Sequence, residues 1–384
     1  MSYELDFIGV NEQTKDSDAI AIRWKNTSGS DAPYTIGIYD GGIERYGDEL
    51  KNHLNKYYFD DEDEEKNPSE KIINFVICSH SDQDHTAGLK TILENFKVQV
   101  LYMNRPWKYV DELIDNADDG RMTADSLKER LKSKYQYIAN LEKLAEDKSI
   151  PIKEIFQGTE IEDRIIVLSP TKTSYKELII ESDKTPLTEE YSVDSLFSNV
   201  KNRFKEAIRK TIEWINDNWS TEFLHDDVTT SSENEQSVVV LGHMDGETEN
   251  QKEFFLLTGD SGPKDLQEAV DFAKLIGRSL KNFVKIYQIP HHGGRHNLTP
   301  YIMNELVGPI LQKDEMTDKQ AFVSVGKNSD HPKKIVTNSF IKRGVKVYQT
   351  TGATLCHHYG IMPDRGWGTA ERIQYSSQIE NWDD

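Results

Sequence analysis

The chain alternates short apolar runs with polar, turn-forming stretches, and the period of each run assigns its structure. Residues 3–9 (YELDFIG) and 19–24 (AIAIRW) read as the two strands of an opening hairpin or meander. From Tyr34 to Gly42, Thr35, Gly37 and Tyr39 alternate with Ile36 and Ile38, which predicts a strand ending at Asp40-Gly41-Gly42. Ile72 to Cys78 (IINFVIC) is an unbroken apolar run and reads as a buried strand. Behind it Leu89, Ile92, Leu93 and Phe96 recur at helical spacing, with Thr86 as a candidate cap. Val98 to Met103 reads as the next parallel strand. Helical spacing then runs through Leu127, Leu131, Tyr135, Ile138 and Leu141, inside residues 105–147. Pro151 to Phe156 and Arg164 to Leu168 are short strands.

Residues 171–233 break this rhythm and read as a helical insertion. Its long helix is expected from Leu196 to Trp219, with Phe204, Ile208, Ile212 and Ile215 on one face. Lys201, Lys205 and Arg209 line another face, either as a solvated surface or as a contact for a phosphate backbone or an acidic protein partner. Strands resume at Ser237 to Gly242 and Glu253 to Leu257, followed by a helix from Leu266 to Leu275. Further strands are Phe283 to Ile289, Ala321 to Val325, Val345 to Gln349 and Ala353 to Cys356. The tail, residues 363–384, carries little pattern. One large α/β domain, residues 1–384 with the insertion inside it, accounts for the whole.

Composition narrows the setting. The 384 residues are 36% hydrophobic, and no apolar run is long enough to span a bilayer. The start, MSYELDFIGV, lacks a basic region followed by an apolar core. Two cysteines, Cys78 and Cys356, make no disulfide framework, so a reduced cytoplasmic home without membrane attachment is expected. The net charge of −20 argues against tight, non-specific coating of nucleic acid. It leaves room for a nuclease, because bound cations invert the local potential. The acidic run of residues 60–65 reads as a solvated loop.

The chemistry concentrates in His80-Ser81-Asp82-Gln83-Asp84-His85, in the turn from the buried strand to the helix. In an extended turn His80, Asp82 and Asp84 point to one side, and His85 faces a second position. Two histidines and two aspartates at such spacing mark a metal or catalytic site. H-S-D-Q-D-H-T-A-G-L resembles the H-x-H-x-D-H motif of the metallo-β-lactamase fold. It is more similar to the H-x-D-x-D-H-x-x-G variant of the soluble C-terminal domain of ComEC-type DNA-uptake proteins, with Asp82 in place of the second histidine. Three more stretches share the resemblance. L-L-T-G-D, ending at Asp260, is similar to the family motif whose aspartate bridges two metals. P-H-H-G-G, with His291 and His292, resembles P-H-H-G-S, which supplies the last ligand. G-K-N-S-D-H-P, with Asn328 and His331, resembles a loop beside the active site.

The resemblance implies a metal-dependent hydrolase of phosphodiesters, with an αββα metallo-β-lactamase-like sandwich, two divalent ions and nucleic acid as substrate. Two ions about 3.5–4 Å apart lower the pKa of a bridging water, and the resulting hydroxide attacks phosphorus. His80, Asp82, Asp84, His85, Asp260 and His291 are the implied ligands, with Asp84 also bridging or orienting. His292 is assigned to protonation of substrate or leaving group, although the sequence does not separate it from His291. Asp40 is either a hydrogen-bond partner of a metal-bound histidine or a plain Asp-Gly turn. Asn234 occupies the place where related proteins supply another histidine, and His243 is the alternative. Asn328 and His331 are expected to hold a phosphate or scissile oxygen, or else to form a polar turn; His296 reads as a surface residue. With Asp82 as an oxygen donor, Mn²⁺ is expected to serve at least as well as Zn²⁺, with Mg²⁺ a further candidate. A hydrolase of small esters or phosphoesters, or a partner-dependent regulatory or defence-system subunit, are the competing expectations.

Overall fold

A computed structural model describes residues 2–11, 13–25, 33–114, 123–182, 185, 214–244 and 253–382. The chain begins with β1 (Ser2–Phe7), β2 (Ala19–Lys25), β3 (Thr35–Gly41), β4 (Ile72–Ile73) and β5 (Phe75–Ile77). It continues through β6 (Lys97–Val98), β7 (Leu101–Tyr102), β8 (Ile152–Lys153), β9 (Glu160–Ile161) and β10 (Ile165–Ser169). After β11 (Trp214–Asn216) come β12 (Val239–Met244), β13 (Glu253–Leu257), β14 (Val284–Gln288) and β15 (Gln320–Val323). The last strands are β16 (Lys346–Gln349), β17 (Leu355–Tyr359) and β18 (Gln378–Glu380).

Two seven-stranded sheets form, in the orders β17-β1-β2-β3-β5-β7-β8 and β16-β15-β14-β13-β12-β10-β9. Both are buried on both faces, and the period of two shows why. In β2, Ile20, Ile22 and Trp24 enter the core between the sheets, while Ala19 and Ala21 enter the core under the first layer of helices. In β13, Phe255 and Leu257 face the inter-sheet core, while Phe254 and Leu256 face the second helix layer. Leu50, Leu89, Ile92 and Ile138 supply the outer helix layer on the first sheet; Leu266, Ala269, Ile302 and Phe340 supply it on the second. The layers therefore run helix, sheet, sheet, helix. This is the αββα layering that the motifs imply. Among the described residues no helix is long and apolar enough to cross a membrane.

Several local expectations change. The run Ile72 to Cys78 is two strands, split at Asn74, whose backbone N–H and side chain both bond Ile36. The helical pattern through Tyr135 is two helices, Ala124–Lys134 and Gln136–Asp147, because Tyr135 leaves the helical region. Within 171–233, Lys172–Glu181 forms a helix with Thr171 as its cap. Trp214–Asn216 is not the end of a helix: it is β11, paired antiparallel with β18 from the tail. Most of the helix expected from Leu196, including Lys201, Lys205 and Arg209, lies outside the described residues. The tail is tied down twice more. Glu380 accepts hydrogen bonds from Lys334 N and Ile335 N at the start of helix Lys334–Ile341, and Arg365 is buried beside β1.

Candidate metal centre

The site is built where strands end. Asp40, the last residue but one of β3, has a left-handed backbone (φ 58°) and is fully buried. Its carboxylate accepts from Ser79 N at 2.7 Å, from Ser79 Oγ at 2.6 Å and from His85 Nδ1 at 2.8 Å. Asp40 thus ties the end of β3 to the loop that follows β5. Close backbone approach completes the tie: Gly88 N donates to Gly42 O at 2.7 Å, and a Cβ on Gly88 would lie 2.0 Å from Gly41 O. The alternation expected for residues 80–85 holds only to Asp82, which is extended. Gln83–Thr86 then form a helical turn, so Asp84 and His85 are presented from a turn of helix.

Three histidines are set in one tautomer by what their Nδ1 atoms meet. His85 Nδ1 donates to Asp40. His292 Nδ1 donates to the Ser324 carbonyl at 2.8 Å. Ser79 Oγ gives its proton to Asp40, so it accepts from His80 Nδ1 at 2.9 Å. With Nδ1 engaged in this way, each Nε2 faces the centre, and a cation bound there would take it as a lone pair in place of its proton. His80 Nε2 is 3.9 Å from Asp82 Oδ2 and 3.9 Å from Asp260 Oδ2; His85 Nε2 is 3.0 Å from Asp260 Oδ1; His292 Nε2 is 3.3 Å from Asp84 Oδ2.

Asp260 stands between these groups. Its turn is held by Gln288 Oε1, which accepts from Thr258 N and Gly259 N, and by Ser237 Oγ, which accepts from Asp260 N at 3.1 Å. Oδ1 faces His85, while Oδ2 faces His80 and, at 2.5 Å, His291 Nδ1. His291 and His292 have consecutive left-handed backbones (φ 47° and 53°), ahead of Gly293 (φ 81°). That conformation, which costs about 1–3 kcal/mol per residue, turns both rings towards the same carboxylate region.

The centre is short of positive charge. Burial would depress His85, but Asp260 and Asp40 together push it well above its ordinary range. Burial is likewise overcome at His292, where Asp84, Asp18 and Asp260 push the imidazole up to about 10. His80 is pulled down, by burial first and then by the His85 charge. Asp260 is held well below the carboxylate range despite burial, by His85 and His291. His80 Nε2, His85 Nε2 and Asp260 Oδ1 are all buried and make no hydrogen bond. Buried imidazole nitrogens and a carboxylate oxygen that converge without hydrogen bonds fit a divalent cation, which would displace the imidazole protons.

Asn234 reaches the site: its Nδ2 is 3.2 Å from His291 Nδ1 and 2.9 Å from Thr230 Oγ1. His243 lies in β12, its ring against Phe254. His331 Nδ1 is 3.1 Å from Asp16 Oδ2, and its ring is 6.3 Å from that of His291. Asn328 and His331 line an open cavity of about 600 Å³ together with Lys15, Asp84, His291 and His292. His296 is exposed and stands edge-on to Trp382. Sequence reasoning missed Asp16, which joins this rim through Gly326 N, Ser329 Oγ and His331, and Asp18, which is buried at the centre. Both precede an apolar strand in a plain polar turn, so nothing local marked them.

No family model matches the chain. No curated protein matches it either. Among solved structures it is similar to a long form RNase Z from yeast, at 12% identity and a TM-score of 0.39. That likeness covers 92% of this chain and 41% of the yeast chain, so the chain spans less than half of its length. It is also similar to the metallo-β-lactamase SMB-1 bound to 2-mercaptoethanesulfonate, at 8% identity and a TM-score of 0.29, over 78% of this chain and 82% of that one. MEM-A1, a subclass B3 metallo-β-lactamase isolated from a soil metagenome library, is similar at 10% identity and a TM-score of 0.31, over 78% and 81%.

Proposed function

We propose that this chain is a metal-dependent hydrolase, and more specifically a phosphodiesterase with nucleic acid as its substrate class. One observation carries the reading: the two oxygens of Asp260 face two different groups of His and Asp side chains. The first group is His80, Asp82 and His291, beside Oδ2. The second is His85, beside Oδ1, together with Asp84 and His292, which lie 3.3 Å apart. Each group offers the donor set of one divalent ion, Mn²⁺ or Zn²⁺, with Mg²⁺ a further candidate. Bound there, such ions supply Lewis acidity and lower the pKa of water for attack on phosphorus.

The chain's own residues do the rest. Asp40, Ser79 and Ser324 fix the imidazole orientations, so the donor atoms are aimed before anything binds. Both histidines of the His291-His292 pair belong to the donor set in this reading, which moves proton transfer to the leaving group away from His292. Asn328 and His331 line the open cavity beside the centre, which supports a role for them in holding a phosphate oxygen. The net charge of −20 favours a second reading, a hydrolase of small phosphoesters or esters, which needs no broad basic surface. A protein partner would bind through the insertion, residues 171–233.

The test is turnover of single-stranded DNA, RNA and a chromogenic phosphodiester by purified protein with Mn²⁺, Mg²⁺ or Zn²⁺. Asp84→Ala is expected to lower the rate by more than about a hundredfold, beyond the range for losing a group that only orients a ligand. A protein that binds two equivalents of metal yet cleaves none of these substrates would sink the phosphodiesterase reading. Cleavage of the small substrate alone would establish the second.

A further inference from the structure

Asp18 lies outside every motif of the sequence, between the opening strand and β2. Its side chain is nonetheless at the centre: one ligand atom each from Asp18, His85, Asp260 and His292 lies within 4.8 Å of every other. The loop is held there by its backbone, since Asp18 N donates to Asp84 O at 3.2 Å. Asp18 is 1% exposed; its polar neighbours are the Ser324 hydroxyl and the His292 and His85 imidazoles, and neither of its oxygens meets a donor at full hydrogen-bond distance and angle. The nearest paired imidazole nitrogen, His292 Nδ1, is 3.7 Å away and already donates to the Ser324 carbonyl. A carboxylate taken out of water without a hydrogen bond is strongly penalised unless a cation compensates it. Here it also stands beside a second carboxylate, Asp260.

We infer that Asp18 is an additional carboxylate ligand of the cation held by Asp84, His85, Asp260 and His292, and that it sets the preference of that position. The inference rests on the metal-centre reading above and deepens it. Three carboxylates with two imidazoles make an oxygen-rich position, which favours a hard ion such as Mn²⁺ over Zn²⁺. The neighbouring position, with His80, Asp82 and His291, has more nitrogen for its carboxylates and lacks this bias.

The experiment uses the full chain, stripped with chelator and titrated calorimetrically with Mn²⁺ and with Zn²⁺, for wild type, Asp18→Asn and Asp18→Ser. Thermal melts are recorded with and without metal. Both variants are expected to lose at least about tenfold in Mn²⁺ affinity at one of two sites, and distinctly less in Zn²⁺ affinity. Without metal they are expected to melt at or above the wild-type temperature, because an uncompensated buried charge has been removed, and their metal-induced rise in Tm is expected to shrink. Unchanged Mn²⁺ affinity, or equal loss for both ions, overturns the inference. So does a variant that melts far below wild type without metal, since Asp18 would then be a structural group. A wild-type protein that takes up neither ion overturns the metal-centre reading itself, and this inference with it.

Discussion

Two buried clusters of charge in this molecule are opposites. On the outer face of the first sheet, Glu4 and Asp6 of β1 are paired with basic side chains of the chain itself. Arg23 Nε lies 2.5 Å from Glu4, Arg365 pairs with both carboxylates, and His53 Nε2 lies 2.9 Å from Asp6. Tyr57 and Trp367 flank the Arg365 guanidinium, with ring centres 4.8 and 4.9 Å away. At the candidate metal centre, the ion-pair partners of Asp18, Asp84 and Asp260 are imidazoles, and lone pairs remain unmatched. The first cluster supplies guanidinium groups for its own carboxylates. The second has only imidazoles beside its carboxylates, and in the metal-centre reading a cation from outside would complete it.

That contrast can be broken by removing a cation from the complete cluster. Arg365→Met leaves Glu4 and Asp6 short of a partner in the core, and a loss of about 3–5 kcal/mol in unfolding free energy is expected. Metal affinity, measured on the same protein, should stay unchanged. A variant as stable as wild type would show that the tail contributes nothing there. A smaller effect is expected at the incomplete cluster from Asp40→Asn, which loses the carboxylate that orients His85 and Ser79. Metal affinity should fall by about 10–100-fold, while the metal-free melting temperature moves little. Unaltered affinity by calorimetry would remove Asp40 from the site.

The smallest effect lies in the shape of a pH curve. Asp6 faces Glu4, His53, Tyr58, Cys356 and Arg365. Burial would raise its carboxyl, but His53 and then Arg365 hold it well below the usual range. Its stabilising charge is therefore fully present above the unfolded range of about pH 4 and is lost as pH falls through the lower folded value. Urea midpoints of metal-free wild type should drop below about pH 4, and this limb should flatten in Asp6→Asn. Parallel acid limbs in the two proteins would assign the drop to other carboxylates.

The sequence by itself determined the layers and the ligand-bearing turns. Runs such as Ile72 to Cys78 and Glu253 to Leu257 are continuous because their strands are covered on both faces, and such runs need no tertiary knowledge to read. His80, Asp260 and His291 follow strand ends directly, so their neighbourhood was legible from local order along the chain. Tertiary structure alone decided what depends on segments meeting from afar. Asp18 and Asp16 sit in a polar turn with no local signature, and only the contact of that turn with Asp84 and Gly326 gives them a role. Asn234 rather than His243 reaches His291, because β12 carries His243 away from the strand ends. Both His291 and His292 approach Asp260 and Asp84 through left-handed backbone, which period and spacing do not encode. Trp214–Asn216 became a strand because the tail supplies β18 as its partner, a pairing of residues more than a hundred positions apart along the chain. Local propensity records what a residue can do; which distant carboxylate, imidazole or strand it meets is fixed only when the sandwich closes.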